Sequence, residues 1–288
     1  MGYQPMYSIQ KHGLLAHATP KPTTDPMNFL ASTGQFAIGQ FRKLSYLAAV
    51  VSAVLVVGLR PRHWSRAVRN VLARQVLFSG VDAINFISFI GLLVGVSIVV
   101  QANLWLRKVG QTQLLGPILV TVIIRELGPL LANFVVIGRS GNAIAAELAN
   151  MKVNGEIHLL DSMGLDPFIY LVIPRVLGFA VSVFCLTIIF FVVSLSGGYV
   201  LSLFMGGHPL PPGDFIDNLG SSFRPSDAVL VSIKVLLPAL LSGAICCIEG
   251  LAVGSSITDV PKATTRSLQR SAFMLFFVSA AASFLSYL

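Results

Sequence analysis

The chain alternates between long apolar segments and short polar or basic segments. Five of the apolar segments have about the length, roughly 20 residues, that a helix needs to cross a bilayer. They predict membrane spans at residues 79–104, 113–138, 171–205, 228–254 and 271–288. A shorter run at residues 44–59 predicts a helix that lies in or on the membrane without crossing it. The pattern therefore predicts an all-α polytopic membrane protein.

The first 40 residues differ from the rest, because they carry several prolines among scattered polar residues and no long apolar run. They lack the apolar core of a secretory signal. We expect residues 1–40 to form a flexible tail and residues 41–288 to form one membrane domain.

Composition supports this reading. Hydrophobic residues make up 55% of the 288-residue chain, charged residues only 11%, and the mean hydropathy is +0.79. A soluble domain has about 25% charged residues. This chain has too few charges to cover a water-facing surface, which excludes a soluble globular enzyme.

The net charge of +8 reflects the distribution of basic residues rather than nucleic-acid binding. Five arginines and no acid lie between Arg60 and Arg74, and further basic residues follow at 139–168 and 255–270. Basic loops mark the cytoplasmic side of a membrane protein. With five spans, this predicts a cytoplasmic N-terminus and a C-terminus on the opposite side.

Charged residues inside a span are candidates for function. Arg125 and Glu126 lie near the middle of the second predicted span, where each costs roughly 2.5–3.5 kcal/mol on insertion scales. They should therefore face the protein interior or a wet cavity, although a purely structural ion pair is an alternative. Gly128 and Pro129 predict a kink just after them. Gln101 could line a polar path or form a helix–helix hydrogen bond.

The segment after the second span is longer than a simple connection requires. Within residues 139–168, Asn142–Met151 suits a short helix that could dock a soluble partner or merely pack on its own bundle. Glycines at positions 91 and 95, and at 250 and 254, permit close helix contacts within one subunit or across a dimer.

Catalytic and metal-binding signatures are weak. The glycine-rich segment lacks the lysine of a Walker A motif, so any ATP hydrolysis must occur in another chain. No histidine falls in a predicted span, which argues against a membrane protease or lipid enzyme. Glu156, His158 and Asp161 form a poor set of metal ligands. We therefore predict no catalytic residue, metal or cofactor in this chain.

Several ordered motifs resemble the MlaE (YrbE) family of permease subunits from MCE-type ABC transporters. They are RELGPL from Arg125, GRSGNAIAAELANM from Gly138, SMGLDPF from Ser162, Pro174-Arg175 and TTRSLQRSAF from Thr264. In order and spacing the resemblance covers about residues 40–288.

The resemblance implies the permease of an ATP-driven phospholipid transporter in a bacterial inner membrane. It implies a homodimer, two cytoplasmic ATPases that bind ATP and magnesium, and a periplasmic MCE-protein ring, expected to be a hexamer. Lipids would move between the inner membrane and that ring, maintaining the lipids of the outer membrane.

The resemblance also assigns candidate residues. Gln101, Arg125 and Glu126 become lipid-path candidates. The helix between spans 2 and 3 becomes the coupling helix, and its candidate ATPase contacts are Arg139, Ala146, Glu147 and Met151. The alternative function is an ion-coupled secondary transporter that uses Arg125 and Glu126 as its coupling site, although no internal repeat of spans supports it.

Overall fold

A computed structural model describes residues 45, 47–56, 58, 66–110, 114–204, 211–254 and 256–287. Within these ranges the protein is helical and contains no strand. The predicted N-terminal tail and most of the basic segment before residue 66 lie outside the described residues. The proposed domain boundary at residue 40 therefore stays a prediction.

The helices follow one another with few interruptions. In chain order they are α1 Leu47–Val56, α2 Arg66–Gly80, α3 Ile84–Val109, α4 Leu115–Leu119, α5 Gly128–Val136, α6 Asn142–Val153, α7 Glu156–Ser162, α8 Ile173–Phe204, α9 Pro212–Ser222, α10 Pro225–Leu251 and α11 Val260–Tyr287. Short 3₁₀ turns join α2 to α3 and precede α11, and π-helical stretches lie between α4 and α5, between α5 and α6, and before α8.

The prediction of five spans is confirmed. The described residues contain five helical segments long and apolar enough to cross a membrane: Arg69–Leu106, Leu115–Val153, Phe168–Leu201, Pro225–Leu251 and Ile257–Ser286. By contrast, the described part of α1 is a shorter apolar helix, whose ten residues rise about 15 Å. Its side chains Leu47, Val50, Val51 and Val54 are buried in the main core.

Three segments are longer than the apolar pattern predicts. The first begins at Arg69 and the fifth at Ile257, because helix continues through polar residues outside the hydrocarbon. The second extends to Val153, so the helix expected in a separate loop is continuous with span 2. It stays attached because Ile144, Ala145 and Leu148 are buried between α10 and α11.

Close packing between α3 and α8 depends on a glycine. A Cβ atom at Gly95 would overlap the backbone of Ser194 on α8, so no larger residue fits there. Gly250 on α10 has the same role against α6, since a Cβ would lie 2.7 Å from the carbonyl oxygen of Ala145. The two glycine pairs thus include positions that pack helices of one subunit together, which is one of the two alternatives that the sequence left open.

Candidate functional site

Arg125 and Glu126 lie in the π-helical stretch Val120–Leu127, which directly precedes Pro129 in α5. A π-helical turn contains an extra residue, and such turns often occur at functional sites. The widened turn presents both charged side chains to α10. The proline therefore coincides with a local change of helix type in the middle of span 2.

Lys234 of α10 is the most buried charge of the site, with only 1% of its side chain exposed. Its Nζ donates hydrogen bonds to Oε1 of Glu126 at 2.7 Å, to the carbonyl oxygen of Arg125 at 3.1 Å and to Oγ of Ser283 at 2.8 Å. An ammonium has three N–H donors, and all three are used. Each N–H donor of the lysine therefore has a partner within the bundle.

Arg125 forms the second ion pair. Its Nη2 lies 2.7 Å from Oδ1 of Asp227, which is almost fully buried at the start of α10. The other carboxylate oxygen of Asp227 accepts a hydrogen bond from the backbone N–H of Arg224 at 3.0 Å, and thereby caps α10. The same carboxylate thus stabilises the helix N-terminus and neutralises a charge from span 2.

We call Arg125, Glu126, Asp227 and Lys234 the charged quartet. Two positive and two negative side chains make it neutral, which lowers the cost of holding charges in an apolar bundle. Its exposure is uneven: Arg125 and Glu126 expose 28% and 35% of their side chains, whereas Asp227 and Lys234 expose 6% and 1%. The quartet therefore presents one polar face outward and anchors it from inside.

Ser283 connects the quartet to the last span. Its hydroxyl accepts from Lys234 and lies 2.9 Å from Oε2 of Glu126. Asn133, one helix turn beyond Pro129, donates to the carbonyl oxygen of Val235 on α10 at 3.3 Å. Together these contacts join spans 2, 4 and 5 at one level of the bundle.

A second polar cluster lies at the opposite end of α10. Glu249 is buried and forms an ion pair with Arg270 of α11, while Arg266 lies 4.0 Å from its other oxygen. Glu249 is covered because α11 begins at Val260, earlier than the span predicted from residue 271.

The helix expected to couple to a partner, α6, is held by contacts with α10 and α8. Lys152 of α6 donates to the carbonyl oxygen of Leu251 at 2.5 Å and so caps the C-terminus of α10. Glu147 forms an ion pair with Arg175 of α8, with 2.8 Å between Oε1 and Nη2. Glu147 nevertheless exposes 55% of its side chain, so one side remains available to a partner.

The other predicted site residues are spread over the bundle. Gln101 is exposed on α3 and lies outside the quartet. Arg139 is exposed, with Nη2 4.0 Å from a carboxylate oxygen of Asp82. Ala146 and Met151 are half-buried on α6. The structure therefore brings Arg125 and Glu126 together with a shared set of partners, and leaves Gln101 apart.

The neighbouring helix α7 is the most exposed part of this end. None of its residues is buried, and the large apolar side chains Leu159, Met163 and Leu165 are exposed in and just after it. Glu156, His158 and Asp161 lie here as well, and in the part of the chain that the structure describes no group of three His, Cys, Asp or Glu residues could hold a metal.

Sequence reasoning missed Asp227, Lys234 and Ser283. A signal for two of them was present, because Asp227 and Lys234 are charges at the start and inside of an apolar segment, as Arg125 and Glu126 are. The serine carried no such signal, since small hydroxyl residues are common in membrane helices.

The fold and this site define a polytopic helical membrane protein. Ion pairs with no net charge join its spans towards one end, and the helices α6 and α7 form a surface at the other. A profile of the permease MlaE family matches residues 72–285. The chain belongs to the MlaE permease family.

Similar proteins from other organisms agree with this class. A probable ABC transporter permease protein of Rickettsia prowazekii is 25% identical over 91% of this chain and 93% of its own length. The intermembrane phospholipid transport system permease protein MlaE of Haemophilus influenzae is 25% identical over 86% of this chain and 94% of its own length. The chloroplastic protein TRIGALACTOSYLDIACYLGLYCEROL 1 of Arabidopsis thaliana is 28% identical over 74% of this chain and 59% of its own length.

Proposed function

We propose that this chain is the permease subunit of an ATP-driven phospholipid transporter in a bacterial inner membrane. Membership of the MlaE permease family and similarity to the intermembrane phospholipid transport permease of Haemophilus influenzae support this proposal. The structural observation that carries it is the charged quartet, which places polar groups inside an apolar bundle at the level where a lipid headgroup could be handled.

The quartet offers a polar face without a net charge. The partly exposed Arg125 guanidinium can donate hydrogen bonds to a phosphate, while Glu126 can accept them from an ammonium or hydroxyl headgroup. Asp227 and Lys234 hold the two outer side chains in place. Arg125 and Glu126 are therefore the lipid-path residues in this proposal, and Gln101 is a more distant candidate on α3.

Helix α10 provides a route for mechanical coupling. It carries Asp227 and Lys234 near one end and Glu249 near the other, and the distance from Asp227 to Glu249 along the helix is about 33 Å. Because α6 packs on α10 and caps it through Lys152, a push on α6 moves the helix that holds the quartet. ATP-driven motion at one end would thereby change the lipid site at the other.

The proposal includes partners, which membership of the MlaE permease family supports. Two ATPases, which bind ATP and magnesium, would contact Arg139, Ala146, Glu147 and Met151, and the exposed apolar side chains of α7 extend the same surface. A second copy of the permease would complete the lipid cavity, and an MCE-protein hexamer would receive or deliver lipid on the periplasmic side. In this topology the N-terminus is cytoplasmic and the C-terminus periplasmic.

The full occupation of Lys234 argues against the ion-coupled alternative. A coupling site must release and bind its ion, whereas the lysine has a partner for each of its three donors. The quartet is thus better suited to hold a lipid headgroup than to carry a proton.

The test is purification of the tagged chain from its native membrane, followed by reconstitution with the proteins that accompany it. We expect an ATPase and an MCE protein to co-purify, and ATP-dependent transfer of labelled phospholipid between the membrane and the MCE protein. Transfer that does not need ATP, or purification without an ATPase, would contradict the proposal.

A further inference from the structure

A cavity of about 460 Å³ lies between α8, α9 and α10, separate from the charged quartet but next to it. This volume is in the range of roughly 300–1,000 Å³ that small-molecule sites occupy. Ile124, the residue before Arg125, forms its inner wall. The rest of the wall comes from Phe184, Thr187, Ile188 and Phe191 of α8, from Ile216, Leu219 and Gly220 of α9, and from Phe223, Ala228, Val231, Ser232 and Val235.

The cavity wall offers hydrocarbon and no free polar side chain. Its two hydroxyl groups are already used within their own helices: Thr187 Oγ1 donates to the carbonyl oxygen of Val183 at 2.8 Å, and Ser232 Oγ donates to that of Ala228 at 2.7 Å. A water molecule needs two to four polar partners to be held in a cavity. An apolar occupant is therefore favoured over water or a polar ligand.

The edge of the cavity carries exposed apolar side chains. Ile188 on α8, Ile216 on α9 and Phe223 are exposed large apolar side chains at its edge. They continue the apolar outer face of α10, where Val229 is exposed as well. A hydrocarbon chain can thus pass from the bilayer into the cavity without crossing a polar surface.

A cation adjoins the cavity in the chain. Arg224 directly follows the lining residue Phe223 and is exposed. Its backbone is fixed at the start of α10, because its N–H donates to Asp227 Oδ2 at 3.0 Å and its carbonyl accepts from the Asp227 N–H at 2.8 Å. An arginine guanidinium matches the geometry of phosphate oxygens. A guanidinium one residue from the cavity wall therefore offers a charge that complements a lipid phosphate.

We propose that this cavity is a lateral lipid site within a single subunit, which holds one acyl chain of a phospholipid while Arg224 binds the phosphate. The occupant comes from the surrounding bilayer through the gap between α8, α9 and α10. The site does not require a second subunit, an ATPase or a direction of transport, and so it goes beyond the proposed function. Because Ile124 lines the cavity and precedes Arg125, a lipid bound there would lie next to the quartet.

The test uses photo-crosslinking in native membranes. Phe223 is replaced by p-benzoylphenylalanine, an aromatic residue of similar shape, and the full-length protein is irradiated, purified and weighed by mass spectrometry. We expect phospholipid adducts. A bulky side chain that fills the cavity from α9, Gly220→Phe, should reduce them by roughly tenfold, which corresponds to about two buried methylene groups.

The same helix provides the control. Gly213 is also an exposed glycine of α9 with open space around a hypothetical Cβ atom, but it does not line the cavity. Gly213→Phe should leave the adducts unchanged. Equal adduct yields in the parent, Gly220→Phe and Gly213→Phe proteins would show that the probe reports only the general bilayer, and would overturn the site. Adducts to a protein instead of a lipid would also overturn it.

Arg224→Gln tests the phosphate contact separately. We expect it to reduce the phospholipid adduct severalfold while adducts to diacylglycerol, which has no phosphate, persist. If Arg224→Gln reduces neither adduct, Arg224 is not part of the site. These measurements need no ATP and no transport, so failure of the proposed transporter function and failure of the lateral site give different results.

Discussion

Lys234 and Glu126 form an ion pair with 2.7 Å between Nζ and Oε1, although one lies in the fourth span and the other in the second. The lysine is buried, whereas the glutamate is partly exposed. Because each of the lysine's donors has an acceptor, the contact fixes the register between α10 and span 2. The partly exposed carboxylate of Glu126 is thereby held in one orientation.

We expect Lys234→Met to destabilise the protein by about 3–5 kcal/mol, because it leaves Glu126 as a charge without a partner inside the bundle. Thermal unfolding of the purified protein in detergent measures this. The double variant Lys234→Met/Glu126→Gln should recover part of the loss, since no lone charge remains. If both variants are equally unstable, the effect comes from packing of the lysine stem and the ion pair is not the cause.

A charge exchange separates the structural role of Arg125 from its role in lipid handling. The variants Arg125→Asp and Asp227→Arg should each be unstable and inactive. Their combination restores an ion pair, so we expect partial recovery of thermal stability. Transfer of labelled phospholipid should stay low, because the guanidinium now lies on α10 instead of at the exposed position of span 2.

Recovery of both stability and transfer in the exchanged protein would mean that Arg125 acts only through its ion pair. The same stability measurement on Asp227→Asn serves as a reference, since it removes the charge and keeps the size of the side chain. If every variant is unstable, the folded fraction is isolated by size-exclusion chromatography. The variants are then compared by phospholipid transfer per folded molecule.

Glu147 is predicted to contact the ATPase, and its ion pair with Arg175 allows a sharp test. Glu147→Lys should weaken co-purification of the ATPase, because it reverses a half-exposed charge on α6. Arg175→Met breaks the same ion pair from the buried side without changing the outer surface. We expect this control to reduce stability by about 1–3 kcal/mol while retaining the ATPase.

If Arg175→Met releases the ATPase as effectively as Glu147→Lys, the contribution of Glu147 is to hold α6 in place and a direct contact is excluded. If neither variant changes co-purification, the docking surface lies elsewhere, and the exposed Leu159 and Met163 of α7 are the next positions to change.

The close approach of α3 and α8 predicts that Gly95→Leu prevents normal packing. The added side chain would overlap the backbone of Ser194, and overpacking of this kind costs about 1–3 kcal/mol or more. Yield of monodisperse protein and its unfolding temperature measure the effect. Gly138→Leu is the matched control, because a Cβ at that position meets nothing within 4 Å. An equal loss in both variants would contradict the packing argument.

Charges inside apolar segments are visible in the sequence, but their partners are not. The pattern singled out Arg125 and Glu126 because charges within a span are costly. It did not identify Lys234 as their partner, since the two lie 108 residues apart and only the packing of α10 on span 2 brings them together. The buried Glu249 shows the same limit, because its environment depends on where α11 begins.

The sequence by itself determined the number of spans, the presence of a short apolar helix before the first span and the presence of costly charges within a span. Bilayer thickness and the cost of charge in hydrocarbon act along the chain, so they can be read residue by residue. Only the tertiary structure decided that α6 continues span 2, that Gly95 packs within one subunit and that four charges form a neutral quartet. These outcomes depend on which faces of distant helices meet, and that relationship arises only when the helices pack.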